Sequence, residues 1–310
     1  MNIRTIVEAD LDTILALIEQ KSVNTVTLDR YRKYVAEGYY RDDWTWVADE
    51  DGTIQALAIW WGPPGDDHPF SIDGLYYAGH GDPIAVWAAL IEHAIENRPA
   101  EAEPPEYHFF LDSDWRDQPD VVAALDVRSR AAAAAGLTAI TDRLRYEWKP
   151  SYGLPERSTR LHFEPADDEA FVDVFSRVTE GSLDAATARE IARMGVDGSA
   201  REALRVYLSM PGDRSWWRLG YDADGKLIGF AIPSANAGGP TVGYLGVLPE
   251  HRGHGYIDDH LAEITNLHAE LGAERITADT DFGNVPMAKS FERLGYRNFA
   301  VRRVLSFPEG

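Results

Sequence analysis

The chain has 310 residues, enough for two domains of ordinary size, and 45% of them are apolar, so it can bury cores and does not read as a disordered acidic tail. It contains no cysteine, which excludes disulfides, zinc–cysteine sites and a cysteine nucleophile and suits a reducing, cytoplasmic setting. The formal net charge of −21 repels phosphate and attracts cations, so no nucleic-acid partner is expected, and with no apolar run of spanning length no membrane partner either.

Residues 1–8 read as a strand rather than a secretion signal. Leu11, Ile14, Leu15 and Ile18 follow at helical spacing. Trp44-Thr45-Trp46-Val47-Ala48 then leads through Asp51-Gly52 to Ile54-Gln55-Ala56-Leu57-Ala58-Ile59, a hairpin signal because Gly accepts the positive φ of a tight turn. Gly136-Leu137 precedes a last strand-like run, 143–148. Two Pro and a Gly mark residues 149–156 as a linker.

The same order then returns. Phe171, Val174, Phe175 and Val178 repeat the helical spacing, Trp216-Trp217-Arg218-Leu219-Gly220 leads through Asp224-Gly225 to a second strand, and Gly295-Tyr296 precedes a closing run at 302–307. The expectation is one α/β fold used twice: strand, helices, hairpin, strand, helix, strand, helix, strand. The boundaries read as 1–148, a linker at 149–159, and 160–310. Trp60-Trp61 and Trp216-Trp217 are expected to pack in cores or interfaces, and His251 and His254 are too sparse to form a metal site.

The most informative stretch is 242–257, where a strand ending near Val247 meets a helix carrying Ile257, Leu261, Ile264 and Leu271 on one face. Between them lie Arg252-Gly253-His254-Gly255-Tyr256. A glycine-bearing loop feeding a helix N-terminus aims backbone N–H groups and the positive dipole end outward, which suits a pyrophosphate. Downstream, Ile276-Thr277-Ala278-Asp279-Thr280 reads as a strand, followed by Asn284 and a helix that ends at Gly295-Tyr296.

Val247-Leu248-Pro249, then Arg252, Gly253 and Gly255, then Asn284 and Gly295-Tyr296, resemble the signature of the GNAT superfamily of N-acetyltransferases. The resemblance covers residues 160–307 and reaches 1–148 through the repeat. It departs at Ile257, where the family has a small residue, and at Phe291, where many members have a tyrosine acid. It implies two tandem GNAT-like domains, each a mixed, mostly antiparallel sheet flanked by helices, with acetyl-CoA as cosubstrate and no metal. It further implies that Val247 meets the pantetheine arm, that the N–H groups of Arg252, Gly253, His254, Gly255, Tyr256 and Ile257 meet the pyrophosphate, and that Asn284 lies near the sulfur.

The reaction so implied is direct attack of a primary amine of a small, cationic molecule on the thioester. Tyr244 is the candidate acid. Asp279 and Asp281 share a strand face and are candidates to hold the amine and take its proton. The first half lacks the arginine of the loop and has Asp82 and Pro83 in its place, so it is expected to be non-catalytic. Two alternatives stand beside this reading: an acyl-CoA-binding or sensing protein without turnover, and an enzyme similar to mycothiol synthase, itself a tandem GNAT. Oligomeric state is not legible.

Overall fold

The computed structural model describes residues 1–308 except 20–22, 24, 25, 100, 101, 103 and 237. Among them are ten strands and α-helices per half, in the same order. The first half runs β1 (Asn2–Thr5), α1 (Leu11–Ile18), α2 (Leu28–Ala36), β2 (Thr45–Glu50), β3 (Thr53–Trp61), β4 (Ser71–Tyr77), α3 (Ile84–Glu96), β5 (Glu106–Asp112), α4 (Pro119–Ala134) and β6 (Ala139–Trp148). The second runs β7 (His162–Glu164), α5 (Asp168–Val178), α6 (Ala185–Ser209), β8 (Arg218–Tyr221), β9 (Leu227–Asn236), β10 (Gly239–Val247), α7 (Tyr256–Glu270), β11 (Ile276–Asp281), α8 (Val285–Arg293) and β12 (Arg297–Ser306).

The chain forms two compact units, Met1–Asp142 with Val301–Gly310, and Arg143–Ala300. These differ from the division at 148 and 160. The run 143–148, expected to close the first half, instead pairs antiparallel with β11 of the second unit, from Ile276↔Trp148 to Asp281↔Arg143. The end of β12 lies in the first unit, where Arg303 clasps Asp142 at 2.7 and 2.8 Å. The register decides the matter: β6 keeps a ladder of six residue pairs in the second unit.

In the first unit β1–β2, β2–β3 and β3–β4 pair antiparallel and β4–β5 pair parallel. Asp51 and Gly52, at φ 52° and 81°, make the tight hairpin turn that their sequence announced. Its core gathers Ile14, Leu17 and Ile18 of α1 against Val47, Leu57 and Ile59 of the sheet.

The second unit repeats this, with β7–β8, β8–β9 and β9–β10 antiparallel and β10–β11 parallel. Asp167 caps α5 by accepting the Ala170 N–H at 2.9 Å. The stripe of Phe171, Val174, Phe175 and Val178 is buried against Leu219, Phe230 and Ile232. On the other face, Leu261 and Ile264 of α7 and Phe291 of α8 pack on Tyr146, Ile276 and Ala278. α7 stops at Glu270, so Leu271 caps its end and is exposed rather than continuing the buried face. Trp60 and Trp217 are buried, while Trp61 and Trp216 are half-buried.

Candidate acyl-donor site

A bulge opens the site. The pairing of β10 with β9 slips at Gly243, between Val242↔Pro233 and Tyr244↔Ile232. A β-carbon at Gly243 would lie 2.7 Å from Ser234 Cβ and 2.8 Å from the Ile232 carbonyl oxygen, so this close approach requires glycine. The Tyr207 hydroxyl donates to Gly243 O at 3.2 Å and ties the bulge to α6. Before the bulge, Thr241 pairs with Thr277 of β11, and its hydroxyl donates to Thr277 O at 2.9 Å. Beyond it no further β10–β11 register is formed among the described residues, and the strands splay.

The phase of the β9–β10 ladder then fixes which groups line the gap. Leu248 N–H donates to Ile228 O at 2.9 Å, so residues 248, 246 and 244 bond toward β9. The N–H and C=O of Leu245 and Val247 therefore turn to the gap. Val247 O accepts Arg252 Nε at 3.2 Å, which leaves the Leu245 groups and the Val247 N–H facing it.

The loop follows at once. Pro249–His251 form a single 3-10 turn, Gly253 and Gly255 have φ of 82° and 74°, and Gly255 is the N-cap of α7. Arg252 N–H is taken by Pro249 O at 3.2 Å. The N–H groups of Gly253, His254, Gly255, Tyr256 and Ile257 have no acceptor among the described residues, the last two because a helix's first turn has none of its own. Five consecutive donors at a helix N-terminus fit a diphosphate. The half-buried Ile257 and Tyr256 pack against Leu161, Ile228 and Val247, which gives the Ile257 side chain an apolar seat of its own.

Arg252 is held by the protein itself. Besides Val247 O, its guanidinium donates to Val178 O at 2.7 Å and Glu180 O at 2.5 Å, at the C-terminal end of α5. It is a strut that caps a helix end and braces the loop, with its backbone N–H and three of its five guanidinium N–H groups taken by the protein's own carbonyls.

The acid and base candidates are likewise engaged. Tyr244 stacks on Tyr207 at 5.5 Å and packs edge-on to Phe230. Burial, with Tyr207 and Asp184 adding to it, pushes its phenol well above the ordinary range. Such a hydroxyl gives up its proton reluctantly. Asp279 and Asp281 do share a face, but each sits across from an arginine of β6. Arg145 Nε lies 3.2 Å from Asp279, and Arg143 Nη1 lies 2.8 Å from Asp281, an approach poorly aligned for a hydrogen bond. Burial works against the Arg143 charge, but Asp184 and Asp281 more than offset it and raise its pKa. The two carboxylates are thus ion-paired in the fold, which the sequence could not show because their partners come from residues before the linker. Asn284 is the N-cap of α8, its side-chain oxygen accepting Met287 N–H at 3.4 Å. Phe291 is buried, stacked 5.0 Å from Tyr146.

The first unit carries the same bulge, at Asp73, between Ile59↔Gly74 and Trp60↔Ile72. β4 pairs with β5 only at Ser71↔Glu106 and Ile72↔Tyr107. Here the gap is filled. Arg128 of α4 donates to Leu75 O at 3.0 Å and to Ala124 O at 3.1 Å, buried beside the Trp87 ring at 4.8 Å. Leu75 is the counterpart of Leu245, counted from the bulge. Asp73 accepts from Tyr40 and Arg30, both at 2.8 Å. In the loop, Asp82 Oδ1 accepts Ile84 N–H at 3.0 Å, so the chain's own carboxylate occupies the helix N-terminus.

A model of the acetyltransferase (GNAT) family matches residues 186–296. No protein of curated function matches the chain. Among solved structures, a GCN5-related N-acetyltransferase from Sphaerobacter thermophilus is similar over 100% of this chain and 96% of its own, with 16% identity and a TM-score of 0.59. A fungal glucosamine N-acetyltransferase region of a multi-domain GH3 β-N-acetylglucosaminidase is similar over 99% of this chain and 38% of that longer one, with 12% identity and a TM-score of 0.57. At such identities the likeness is one of fold. No helix among the described residues is long and apolar enough to cross a membrane. The family match falls within the unit that holds the splayed strands and the glycine loop, so residues 186–296 are similar to the acetyltransferase (GNAT) family, and the order of elements in that unit is repeated in the other half of the chain.

Proposed function

We propose that the second unit transfers an acetyl group from acetyl-CoA to a primary amine of a small molecule by direct attack, and that the first unit has no catalytic role. The observation that carries this is the row of five N–H groups at residues 253–257, which have no acceptor among the described residues, at the end of a strand whose gap-facing edge has no partner among them past the bulge. The loop donors would hold the diphosphate. Val247 N–H and the Leu245 groups would hold the pantetheine amides and the thioester carbonyl. The amine nitrogen bonds to the carbonyl carbon, the carbon–sulfur bond breaks, and the thiolate leaves while water takes the amine proton. An ordinary thiol has a pKa near about 8.5, so its thiolate leaves without an obligatory acid. That fits a site where Phe291 has no proton and the Tyr244 proton is tightly held.

The net charge of −21 still favours a cationic acceptor. The pairing of Asp279 and Asp281 with arginines removes the reason to dock its ammonium on them. A non-catalytic acyl-CoA-binding role draws support from the same two features, the buried Phe291 and the raised Tyr244. The two readings separate on thiol release from acetyl-CoA over a panel of primary amines, alongside calorimetry with coenzyme A. Binding with release supports the enzyme, and binding without release supports the sensor. Absence of any coenzyme A affinity would sink both. The proposal expects one bound coenzyme A per chain, since Arg128 fills the gap of the first unit.

A further inference from the structure

A diphosphate needs positive charge as well as donors, and the loop's own arginine has three of its five N–H groups anchored, on the Val178 and Glu180 carbonyls at the end of α5 and on the Val247 carbonyl. The donors are also followed by two acids, Asp258 and Asp259, in the first turn of α7. Unscreened, these would repel a phosphate. Each is covered by an arginine from elsewhere in the unit. Arg293 of α8 holds Asp258 at 2.7 and 2.8 Å, with the Ser290 hydroxyl at 2.6 Å. Arg160, from the segment before β7, holds Asp259 through Nε at 2.9 Å and Nη2 at 2.5 Å.

Arg160 goes further than Arg293, because it touches the loop itself. Its Nη1 donates to His254 O at 2.9 Å, and its guanidinium lies 4.4 Å over the Tyr256 ring. A β-carbon placed on Gly255 would be 3.5 Å from Nη2. Three of its five N–H groups are thus placed and two remain, beside the five backbone donors. The segment that delivers it is pinned down. Arg157 bonds Glu263 and Glu270, Asn266 donates to Pro155 O at 2.9 Å, and Trp148 donates to Gly153 O at 2.8 Å. A cleft of about 520 Å³ opens between this segment, the first turns of α7 and residues 293–295.

We propose that Arg160 is the cation of the coenzyme A phosphate site: it cancels Asp259 and gives its two remaining donors to the phosphates. What sequence reading takes as a plain linker thereby ends in a binding residue. The proposal rests on reading 253–257 as the diphosphate loop. Its test is calorimetry on the full chain with two probes, coenzyme A and phosphate-free pantetheine. Variants are Arg160→Ala, Arg160→Gln and Arg160→Ala/Asp259→Asn, with Arg201→Ala as a distant control and thermal melting to confirm folding. Loss of one charge-assisted contact and exposure of Asp259 should weaken coenzyme A about 10- to 100-fold in Arg160→Ala and Arg160→Gln and leave pantetheine unchanged. Asp259→Asn should restore the part owed to repulsion. If the wild type binds coenzyme A and the folded Arg160 variants bind it as tightly, or lose pantetheine equally, Arg160 has no such role. If the wild type binds no coenzyme A, the loop reading itself fails.

Discussion

Glutamate at Gly255 gives a sharp test of which loop meets phosphate, because Gly81 supplies a matched control. Both glycines have positive φ, 74° and 97°, so any side chain costs about 1–2 kcal/mol of backbone strain at either. Neither is sterically confined: a β-carbon at Gly81 meets nothing within 4 Å, and at Gly255 it meets only the Arg160 tip at 3.5 Å. The two substitutions should therefore lower stability alike. They differ in what the new carboxylate faces. At Gly255 it would lie about 6 Å from a bound diphosphate, where an effective dielectric of 20 gives about 3 kcal/mol of repulsion per pair of charges. Salt and Arg160 screen part of this, and the remainder still weakens coenzyme A about 100-fold or more. Gly255→Ala carries the strain without the charge and should retain most of the affinity. Calorimetry with coenzyme A, beside melting curves for all three variants, reads both effects. Equal loss of affinity from Gly255→Glu and Gly81→Glu would refute the assignment of the site to the second unit.

Gly243→Ala should lower stability by about 1–3 kcal/mol and weaken coenzyme A together, because its methyl presses on the Ile232 carbonyl and shifts the bulge. Gly283→Ala, with nothing within 4 Å, should do neither, as denaturant titration and calorimetry will show. Arg252→Ala removes the brace on Val178, Glu180 and Val247 and should cost about 1–3 kcal/mol of stability, more than it costs affinity, with lysine failing to rescue the three-way fork. Burial lowers the pKa of His260 and of His268. The unfolded chain then binds protons that the folded chain refuses, so stability is full above about pH 6.5 and falls below it, by up to about 1.4 kcal/mol per pH unit for each histidine. Urea midpoints between pH 7.5 and 5, run with about 0.5-unit steps, should show the slope, and His268→Gln should reduce it.

The repeat was legible because its signals are local. Asp51-Gly52 and Asp224-Gly225 mark hairpins held by glycine conformation and by the nearby Asp49 and Asp222 carboxylates, and the α5 stripe from Phe171 to Val178 states its buried face in its spacing. The glycine loop was legible for the same reason. The roles of Arg252, Asp279 and Asp281 were not, because each is decided by a partner far along the chain: Val178, Arg145 and Arg143. The pairing of 143–148 was not legible either, since its partner β11 lies more than a hundred residues further along the chain. Arg160 carries no motif, and only the pinning of its segment on α7 brings it to the loop.

The two halves also explain what must be kept for the fold and what for the site. Both keep a bulge in the fourth strand and one short parallel contact with the fifth, so the splay belongs to the architecture. An open gap, however, exposes strand-edge carbonyls that a buried core cannot leave unpaired. The first unit meets that need with Arg128 on Leu75 O, and meets its helix N-terminus with Asp82. Among the described residues, the second leaves the corresponding Leu245 edge and five loop donors without internal partners. A splayed sheet that satisfies itself with an arginine has no need of a ligand. The one that does not can be completed by a molecule bearing amides at one end and a diphosphate at the other, which is the chemical description of coenzyme A.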